Sequence, residues 1–276
     1  MHKIGLSSCG RIPVEKDFSD FKNSGIGAME ISVGIENCDK IDFKGLQKLS
    51  RKYEIDLWSF HLPFSPFSRL EISQGELADS TVEYFKELIQ KATDIGMDKF
   101  VIHPSGEPIA PEDRSERLKV SKESLFKLAN IASTNGAVIT VEELPRTCLG
   151  NCSDEILELI SVDDKLKVCF DTNHLLGEGQ VDFIRKVGKK IVTLHVSDYD
   201  FINERHWLPG EGQSDWSAIY NALKEVGYNG AWLYEVGFGD TKTITRERFL
   251  TCDDFVRNAK EIFEGRELMV IQNQKH

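Results

Sequence analysis

Short apolar runs rich in β-branched residues recur along the whole chain and alternate with longer stretches in which apolar positions return every three or four residues. The short runs are typical of strands buried on both faces, and the longer stretches are typical of amphipathic helices. The predicted strands are residues 3–8, 27–33, 55–62, 99–103, 137–144, 167–170, 191–196 and 231–236. The predicted helices are residues 14–23, 43–53, 77–95, 111–133, 153–160, about 181–187, 216–226 and 249–263. Strict alternation predicts a parallel sheet, and eight repeats predict an α/β fold, a closed (β/α)₈ TIM barrel.

Local signals set several of these boundaries. Pro63 and Pro66 end the third strand, because proline has no amide hydrogen to donate. Pro111 suits the first turn of its helix, and Ser153 suits a helix cap. The residues after about Leu268 are expected to form a loose end.

Length and glycine placement favour the barrel over an open sheet. A chain of 276 residues is typical of one (β/α)₈ barrel, so a single domain over residues 1–276 is predicted. A doubly wound sheet would place a glycine-rich phosphate turn after an early strand. No G-x-G-x-x-G motif follows the first or second predicted strand.

Charge and composition argue against several kinds of partner. The formal net charge of −11 argues against a nucleic-acid partner, because the overall field repels polyanions. The sequence lacks both a run of about 18 apolar residues and the apolar region of a secretory signal. We therefore expect a cytoplasmic protein without a membrane partner. The six cysteines are expected to be free thiols, and a redox or metal clip at Cys148 and Cys152 is the less favoured alternative.

Ionisable side chains concentrate where the predicted strands end. Five of the seven histidines lie there or in the loop after the seventh strand. The strand-end residues are Glu30, His61, His103, Glu142, Glu143, Asp171, His174, His195 and Glu235. One such histidine alone would usually be a hydrogen-bonded strand cap. Five in one layer indicate a polar, metal-competent site at the C-terminal ends of the strands, where TIM barrels place their active sites.

Four of these residues suit a metal ion. Glu142, Asp171, His195 and Glu235 lie on strands five to eight, which are consecutive around the predicted ring. Three carboxylates and one imidazole favour Mn²⁺, Mg²⁺ or Co²⁺. A salt bridge at each strand end is the simpler alternative. For Glu142 and Glu235, which apolar residues flank, an unpaired buried charge would be costly, and a metal ion would compensate it.

Seven short motifs carry a family resemblance that covers nearly the whole chain. They are HLPF, VIHPS, VEELP, FDTNH, LHVSD, HWLPGEG and LYEVG. Together they resemble the xylose isomerase-like TIM-barrel superfamily, which includes sugar (phosphate) isomerases and epimerases, ketose 3-epimerases, inosose dehydratases and type IV apurinic endonucleases. The D-x-x-H of strand six, the H-x-x-D of strand seven and the PGEG turn are specific for this superfamily but not for one substrate.

The resemblance implies a metal-dependent sugar isomerase or epimerase. Glu142, Asp171, His195 and Glu235 would bind the ion, with Mn²⁺ expected first and Co²⁺, Mg²⁺ or Zn²⁺ as alternatives. Glu142 and Glu235 would also act as acid and base on opposite faces of the bound sugar. The implied reaction is abstraction of a proton next to a metal-bound carbonyl. Members of the superfamily often form dimers or tetramers, so a homo-oligomer is also expected.

Other residues are predicted to contact the small-molecule sugar substrate. His174 resembles the superfamily's substrate-binding histidine, whereas His206 falls where ketose 3-epimerases have an arginine. The expected substrate-binding residues are His61, His103, His174, His206, Trp58 and Trp207, with Phe64 completing the wall. Ordinary packing under the loops is the equal alternative for the aromatic residues and for His61.

A type IV apurinic endonuclease is the main alternative. Its three-zinc site resembles the set His61, His103, Glu142, Asp171, His174, His195, Glu204, His206 and Glu235, in which Glu204 and His206 would be additional metal ligands. Three features argue against it: the GLSSCGRIP start lacks the endonuclease signature, Glu143 replaces an asparagine, and no basic stripe is present for a duplex. A lyase or dehydratase acting on keto-sugars or inososes would use the same site. A binding protein without turnover would be expected to show gaps in the ligand set.

Overall fold

The chain folds as an eight-stranded parallel barrel surrounded by helices, in a computed structural model that describes residues 2–64 and 69–275. The barrel strands are β1 (Ile4–Ser7), β2 (Ala28–Ser32), β3 (Asp56–His61), β4 (Lys99–Ile102), β5 (Val138–Glu142), β6 (Lys167–Asp171), β7 (Ile191–His195) and β8 (Trp232–Tyr234). The helices are α1 (Glu15–Ser24), α2 (Ile35–Cys38), α3 (Phe43–Tyr53), α4 (Gly75–Thr93), α5 (Arg114–Thr134), α6 (Ser153–Ile160), α7 (Gln180–Val187), α8 (Trp216–Glu225) and α9 (Cys252–Glu264). The predicted TIM barrel is confirmed.

The ring closes between its last two strands. Strands β1 to β7 pair in chain order, and β8 pairs with β1. A parallel bridge between Val196 and Tyr234 joins the end of β7 to β8. Two backbone hydrogen bonds support it: the Val196 amide donates to Leu233 over 2.8 Å, and the Glu235 amide donates to Val196 over 3.2 Å. This seam therefore lies directly beside the ends of two strands that carry predicted site residues.

Alternation along each strand separates the helix-facing core from the barrel interior. On β6, Phe170 packs outward and stacks on Phe183 of α7 with ring centroids 5.1 Å apart. The next residue, Asp171, is buried inside the ring and is paired in register with His195 of β7. The apolar residues of the strands thus hold the helices, and the polar residues at their ends are aimed into the ring.

Local hydrogen bonding moves some helix ends from the predicted positions. Helix α5 begins at Arg114 rather than 111, because residues 111–113 form a turn. Helix α9 begins at Cys252 rather than 249, and Thr251 and Asp254 form a capping box at its start. Ser153 is not a cap, because its hydroxyl and amide both donate to Glu178.

The C-terminal tail is not a loose end as far as Lys275. Two further strands, β9 (Ile244–Arg246) and β10 (Gln272–Lys275), pair in antiparallel fashion, and Ile271 is buried. The expectation of a free tail after Leu268 was therefore wrong. Pro66, predicted to help end the third strand, lies outside the described residues.

All six cysteines are free thiols, as predicted. Cys148 is buried and Cys152 partly buried, and neither belongs to a potential metal-binding cluster in the described ranges. Within the part of the chain that the structure describes, no helix is long and apolar enough to cross a bilayer.

Candidate active site

The C-terminal ends of seven barrel strands converge on one buried cluster of ionisable side chains. Its members are Glu30 of β2, His61 of β3, His103 after β4, Glu142 of β5, Asp171 of β6, His195 of β7 and Glu235 after β8. All but His103 and Glu235 are buried, and those two are only partly exposed. Each strand ends at the same edge of the ring, so residues up to about two hundred positions apart meet there.

The four predicted metal ligands lie together. One ligand atom from each of Glu142, Asp171, His195 and Glu235 lies within 4.8 Å of the others. His195 Nδ1 is 2.9 Å from Glu142 Oε1, 3.5 Å from Glu235 Oε2 and 3.8 Å from Asp171 Oδ2. Glu235 is the most exposed of the four, with 18% of its side chain accessible. The set therefore forms a pocket of oxygen and nitrogen donors that opens on the Glu235 side.

The state of Asp171 tests whether these residues fit an ion. Its Oδ2 atom is buried and has no hydrogen-bond partner. Burial, followed by the neighbouring charge of Glu142, raises the pKa of Asp171 to about 7. An unpartnered buried carboxylate oxygen is costly, and a divalent cation would satisfy it. The donor set therefore fits a metal ion.

The carboxylate of Glu30, to which the sequence analysis gave no role, holds the ring of His195. His195 Nε2 lies 3.0 Å from Glu30 Oε2, and Ser59 donates a hydrogen bond to the same oxygen over 2.8 Å. A carboxylate behind a ligating histidine fixes the ring orientation and raises its basicity. The only signal for Glu30 in the sequence was its place near the end of a buried strand.

Glu142 also faces a second group of histidines. Its Oε2 atom lies 3.2 Å from His61 Nε2 and 3.2 Å from His103 Nε2. These three residues form a further set with metal-ligand spacing. His61 is stacked against His195, with ring centroids 5.6 Å apart. The carboxylate of Glu142 is therefore shared between two potential cation positions.

These contacts control the charge of the cluster. Burial would raise the pKa of Glu142, but His195 and the surrounding imidazoles outweigh it and hold that pKa well below its ordinary value. Burial lowers the pKa of His61, yet the hydrogen bond to Glu142 raises it to about 9. For His103 and His174, burial prevails and the pKa falls below the ordinary histidine value. Glu142 is consequently held as a carboxylate.

Glu143, beside this cluster, has a structural role. Its Oε1 atom accepts a hydrogen bond from the Asp171 amide over 2.7 Å, which ties β5 to the end of β6. Its backbone carbonyl lies 2.9 Å from His174 Nδ1 and so orients that ring. Burial and the charge of Asp171 raise the pKa of Glu143 well above its ordinary value.

A cavity of about 320 Å³ opens above the cluster. Of the predicted site residues, His61, Phe64, His103, Glu142, His174, Glu204, His206 and Glu235 line it. The Phe64 ring, 51% exposed, is stacked on His103 with centroids 4.3 Å apart. Glu204 Oε2 is 3.6 Å from His174 Nε2, and His206 Nδ1 is 3.7 Å from Glu235 Oε2. Arg146 and Glu107, which the sequence analysis did not single out, also line the cavity.

Neither of the two tryptophans predicted to contact the sugar lines the cavity. Trp58 packs on Ala28, Ala231 and Leu233 near the N-terminal ends of the strands, and its Nε1 donates to Thr193 over 3.0 Å. Trp207 is buried under the loop after β7, where Nε1 donates to Thr243 over 3.0 Å.

Comparisons with known proteins agree with this geometry. A family model described as xylose isomerase-like TIM barrel matches residues 18–250. The chain is 28% identical over 240 residues to the uncharacterized protein MJ1311 of Methanocaldococcus jannaschii, which covers 83% of this chain and 81% of that protein. It is 26% identical over 201 residues to an inosose isomerase of Bacillus velezensis, with 67% of each chain covered. The fold is similar to a D-tagatose 3-epimerase-like protein, with a TM-score of 0.80, 24% identity, and 95% of this chain and 97% of that chain covered. The chain therefore belongs to the xylose isomerase-like TIM barrel family.

Proposed function

We propose that the protein is a divalent-metal-dependent epimerase or isomerase of a small sugar or sugar derivative. One observation carries the proposal: Glu142 and Glu235 meet Asp171 and His195 in a single donor set at the floor of a sugar-sized cavity. The similarity to an inosose isomerase and to a D-tagatose 3-epimerase-like protein supports the same class of reaction.

The metal would be held by Glu142, Asp171, His195 and Glu235. Three carboxylates and one imidazole favour Mn²⁺, with Co²⁺, Mg²⁺ or Zn²⁺ as alternatives. When bound, the ion supplies Lewis-acid polarisation of the substrate carbonyl. Glu30 keeps His195 oriented through the contact at Nε2, so that Nδ1 faces the three carboxylates.

Glu142 and Glu235 would move the proton. Glu142 is held as a carboxylate by its three imidazole neighbours, which suits it to accept a proton from the carbon next to the carbonyl. Glu235 follows β8, across the seam between β7 and β8 from Glu142, and its side chain is partly exposed to the cavity. It can therefore return a proton to the other face of the substrate. His61, His103, His174 and His206 line the walls at positions that suit the sugar hydroxyls.

Amide substitution of the two glutamates tests this assignment. Glu142→Gln and Glu235→Gln should each lower the rate of solvent deuterium incorporation into a substrate ketose by roughly 100-fold or more. Product NMR in D₂O measures exchange and also separates epimerisation from loss of water. Glu83→Gln, on the exposed face of α4, is the matched control. The bound metal must be quantified for each variant, and normal exchange by both glutamine variants would refute the acid–base roles.

A zinc phosphodiesterase is the second candidate, because His61, His103 and Glu142 form an additional potential metal site. Elemental analysis per chain separates the two. About one Mn, Co or Mg supports the epimerase, since that reaction needs a single polarising ion. Two or three zinc ions per chain, with cleavage of abasic duplex DNA, would favour the phosphodiesterase. Absence of cleavage with a single bound ion would eliminate it.

A further inference from the structure

We propose that the sugar held in this cavity carries no phosphate group. The inference rests on the proposed function and names the substrate class of the same site. In TIM barrels a substrate phosphate is frequently bound by the loops after strands seven and eight and by the N-terminus of a short helix beside them. In this protein, donors of both loops are already hydrogen-bonded to carboxylates of the chain itself.

The loop after β7 folds around Asp198. This side chain is fully buried and accepts hydrogen bonds from the amides of Tyr199 (2.9 Å), Gly210 (2.8 Å) and Ser214 (3.2 Å) and from Trp216 Nε1 (2.9 Å). A Cβ atom on Gly212 would overlap Asp198 Oδ1, so the loop is closed tightly on that carboxylate. The Ser214 amide lies just before α8, where backbone N–H groups commonly bind anions, and it already donates to Asp198.

In the loop after β8, the charge of an arginine is likewise paired with a carboxylate of the chain. Arg246 makes a two-point ion pair with Glu211, with Nε 2.8 Å from Oε1 and Nη2 2.7 Å from Oε2. Both side chains are completely buried. A bidentate pair of this kind uses the fork of the guanidinium. The guanidinium of Arg246 is therefore not available to a substrate.

Arg146 is the one lysine or arginine among the described residues that line the cavity, and it too is engaged. Its guanidinium binds Glu107 in two-point fashion, Asn203 Oδ1 over 2.6 Å and Glu204 Oε1 over 3.3 Å. Arg146 thus faces the two carboxylates of Glu107 and Glu204, so this wall of the cavity carries more negative than positive charge even without Glu142 and Glu235, whose charges the ion would offset. Residues 65–68, which lie outside the described ranges, are uncharged in sequence.

Arg69 is not among the residues that line this cavity. It lines an adjoining cavity together with Glu36 and Glu235, and its side chain is exposed to solvent. Water and salt screen an exposed charge strongly. A phosphate monoester carries about −1.5 to −2 charges at neutral pH. Like charges placed close together at a binding site weaken binding, so the acidic wall selects a neutral sugar.

Binding of unreactive analogues tests the inference separately from turnover. Mn²⁺-loaded protein is titrated by calorimetry with hexitols and with the corresponding hexitol monophosphates. A hexitol should bind, and its monophosphate should bind at least about 100-fold more weakly. Tighter binding of the monophosphate, or binding of neither, overturns the inference. If the neutral hexitol binds but no ketose is epimerised, the proposed function fails and the substrate class stands.

Variants identify the charges responsible. Glu107→Gln removes a negative charge that binds the Arg146 guanidinium. The ratio between the Kd of the monophosphate and the Kd of the hexitol should therefore fall by about tenfold. Glu225→Gln makes the same change of charge at the far end of α8, where Glu225 pairs with exposed Arg185, and should leave the discrimination unchanged. Arg69→Gln should also leave it unchanged. A large effect of Glu225→Gln or Arg69→Gln, or none of Glu107→Gln, contradicts this assignment of the charges.

Discussion

A single carboxylate, Glu142, organises the chemistry of the site at the scale of residues. It contacts His61, His103 and His195 at 2.9–3.2 Å, whereas Oδ2 of Asp171 has no hydrogen-bond partner. The contrast explains why the pKa of Glu142 is lowered and that of Asp171 is raised, although both side chains are buried. Because both groups are equally deep, their different partners decide the direction of each pKa shift.

Trp58 offers a test of where the substrate-binding site ends. Trp58→Ala should destabilise the protein by roughly 1–3 kcal/mol because it removes the packing of this partly buried ring on Ala28, Ala231 and Leu233, while KM for the sugar changes little. Denaturant unfolding and steady-state kinetics measure the two effects. Phe64→Ala is the matched comparison: Phe64 is half exposed at the cavity mouth, so KM should rise with little loss of stability. If Trp58→Ala by itself raised KM, Trp58 would be counted among the substrate-binding residues again.

The position of each strand end was predictable from the sequence, but contacts across the ring were not. Alternation of strands and helices put Glu142, Asp171, His195 and Glu235 at one edge. The contact between Glu30 and His195 joins residues 165 positions apart, which no local pattern reveals. Trp58 lies three residues before His61, about 10 Å along an extended strand, and that distance places it below the cavity.

Helix α9 illustrates what capping contributes at the scale of elements. Asp254, which is buried, accepts hydrogen bonds from the amide and hydroxyl of Thr251, both over 2.8 Å, and from Arg248 over 2.6 and 2.8 Å. Burial would raise the pKa of Asp254, but Arg248 and Thr251 outweigh it and lower that pKa below its ordinary value. The folded chain therefore favours the charged form.

Replacement of this cap should have a defined pH dependence. Asp254→Asn should cost about 1–2 kcal/mol of unfolding free energy at pH 7. The pKa of Asp254 is lower in the folded state than its unfolded value of about 3.9, so its contribution is full above that value and is lost as the pH falls below it. Urea unfolding of both proteins at pH 7 and near pH 3 measures whether the difference in unfolding free energy between Asp254→Asn and the wild type becomes smaller at low pH. Asp253→Asn, an exposed neighbour in the same turn, is the control, and a pH-independent deficit for Asp254→Asn would contradict the mechanism.

Element types followed from hydrophobic periodicity, whereas element ends depended on geometry that periodicity does not encode. The starts of α5 and α9 shift by three residues because turns and caps precede them. The pairing of β10 with β9 joins a polar tail to a loop about 28 residues earlier, and neither segment has an apolar pattern of its own. Such pairs become visible only once the barrel has brought them together.

The whole molecule should be more stable with a bound ion. Glu30, Glu143 and Asp171 each keep one buried carboxylate oxygen without a hydrogen-bond partner, an arrangement that is costly without a cation nearby. Mn²⁺ at 100 times its Kd should raise the unfolding free energy of the protein, relative to EDTA-treated protein, by about 2.7 kcal/mol. Thermal unfolding with EDTA and then with Mn²⁺ measures this gain. Asp171→Asn should abolish the gain without weakening the chelated protein, and an unchanged Tm on adding Mn²⁺ to the wild type would argue against the site.

The seam of the barrel has a consequence for how the active protein comes into being. The four candidate ligands come from β5, β6, β7 and the end of β8, and β8 must reach both β1 and the end of β7. Contacts between distant parts of a chain form slowly, because a long loop must be closed first. An intermediate that stops before this last pairing lacks Glu235 beside His195. Partly folded chains, including those still emerging from the ribosome, therefore have no complete ligand set, and activity begins only when the ring is shut.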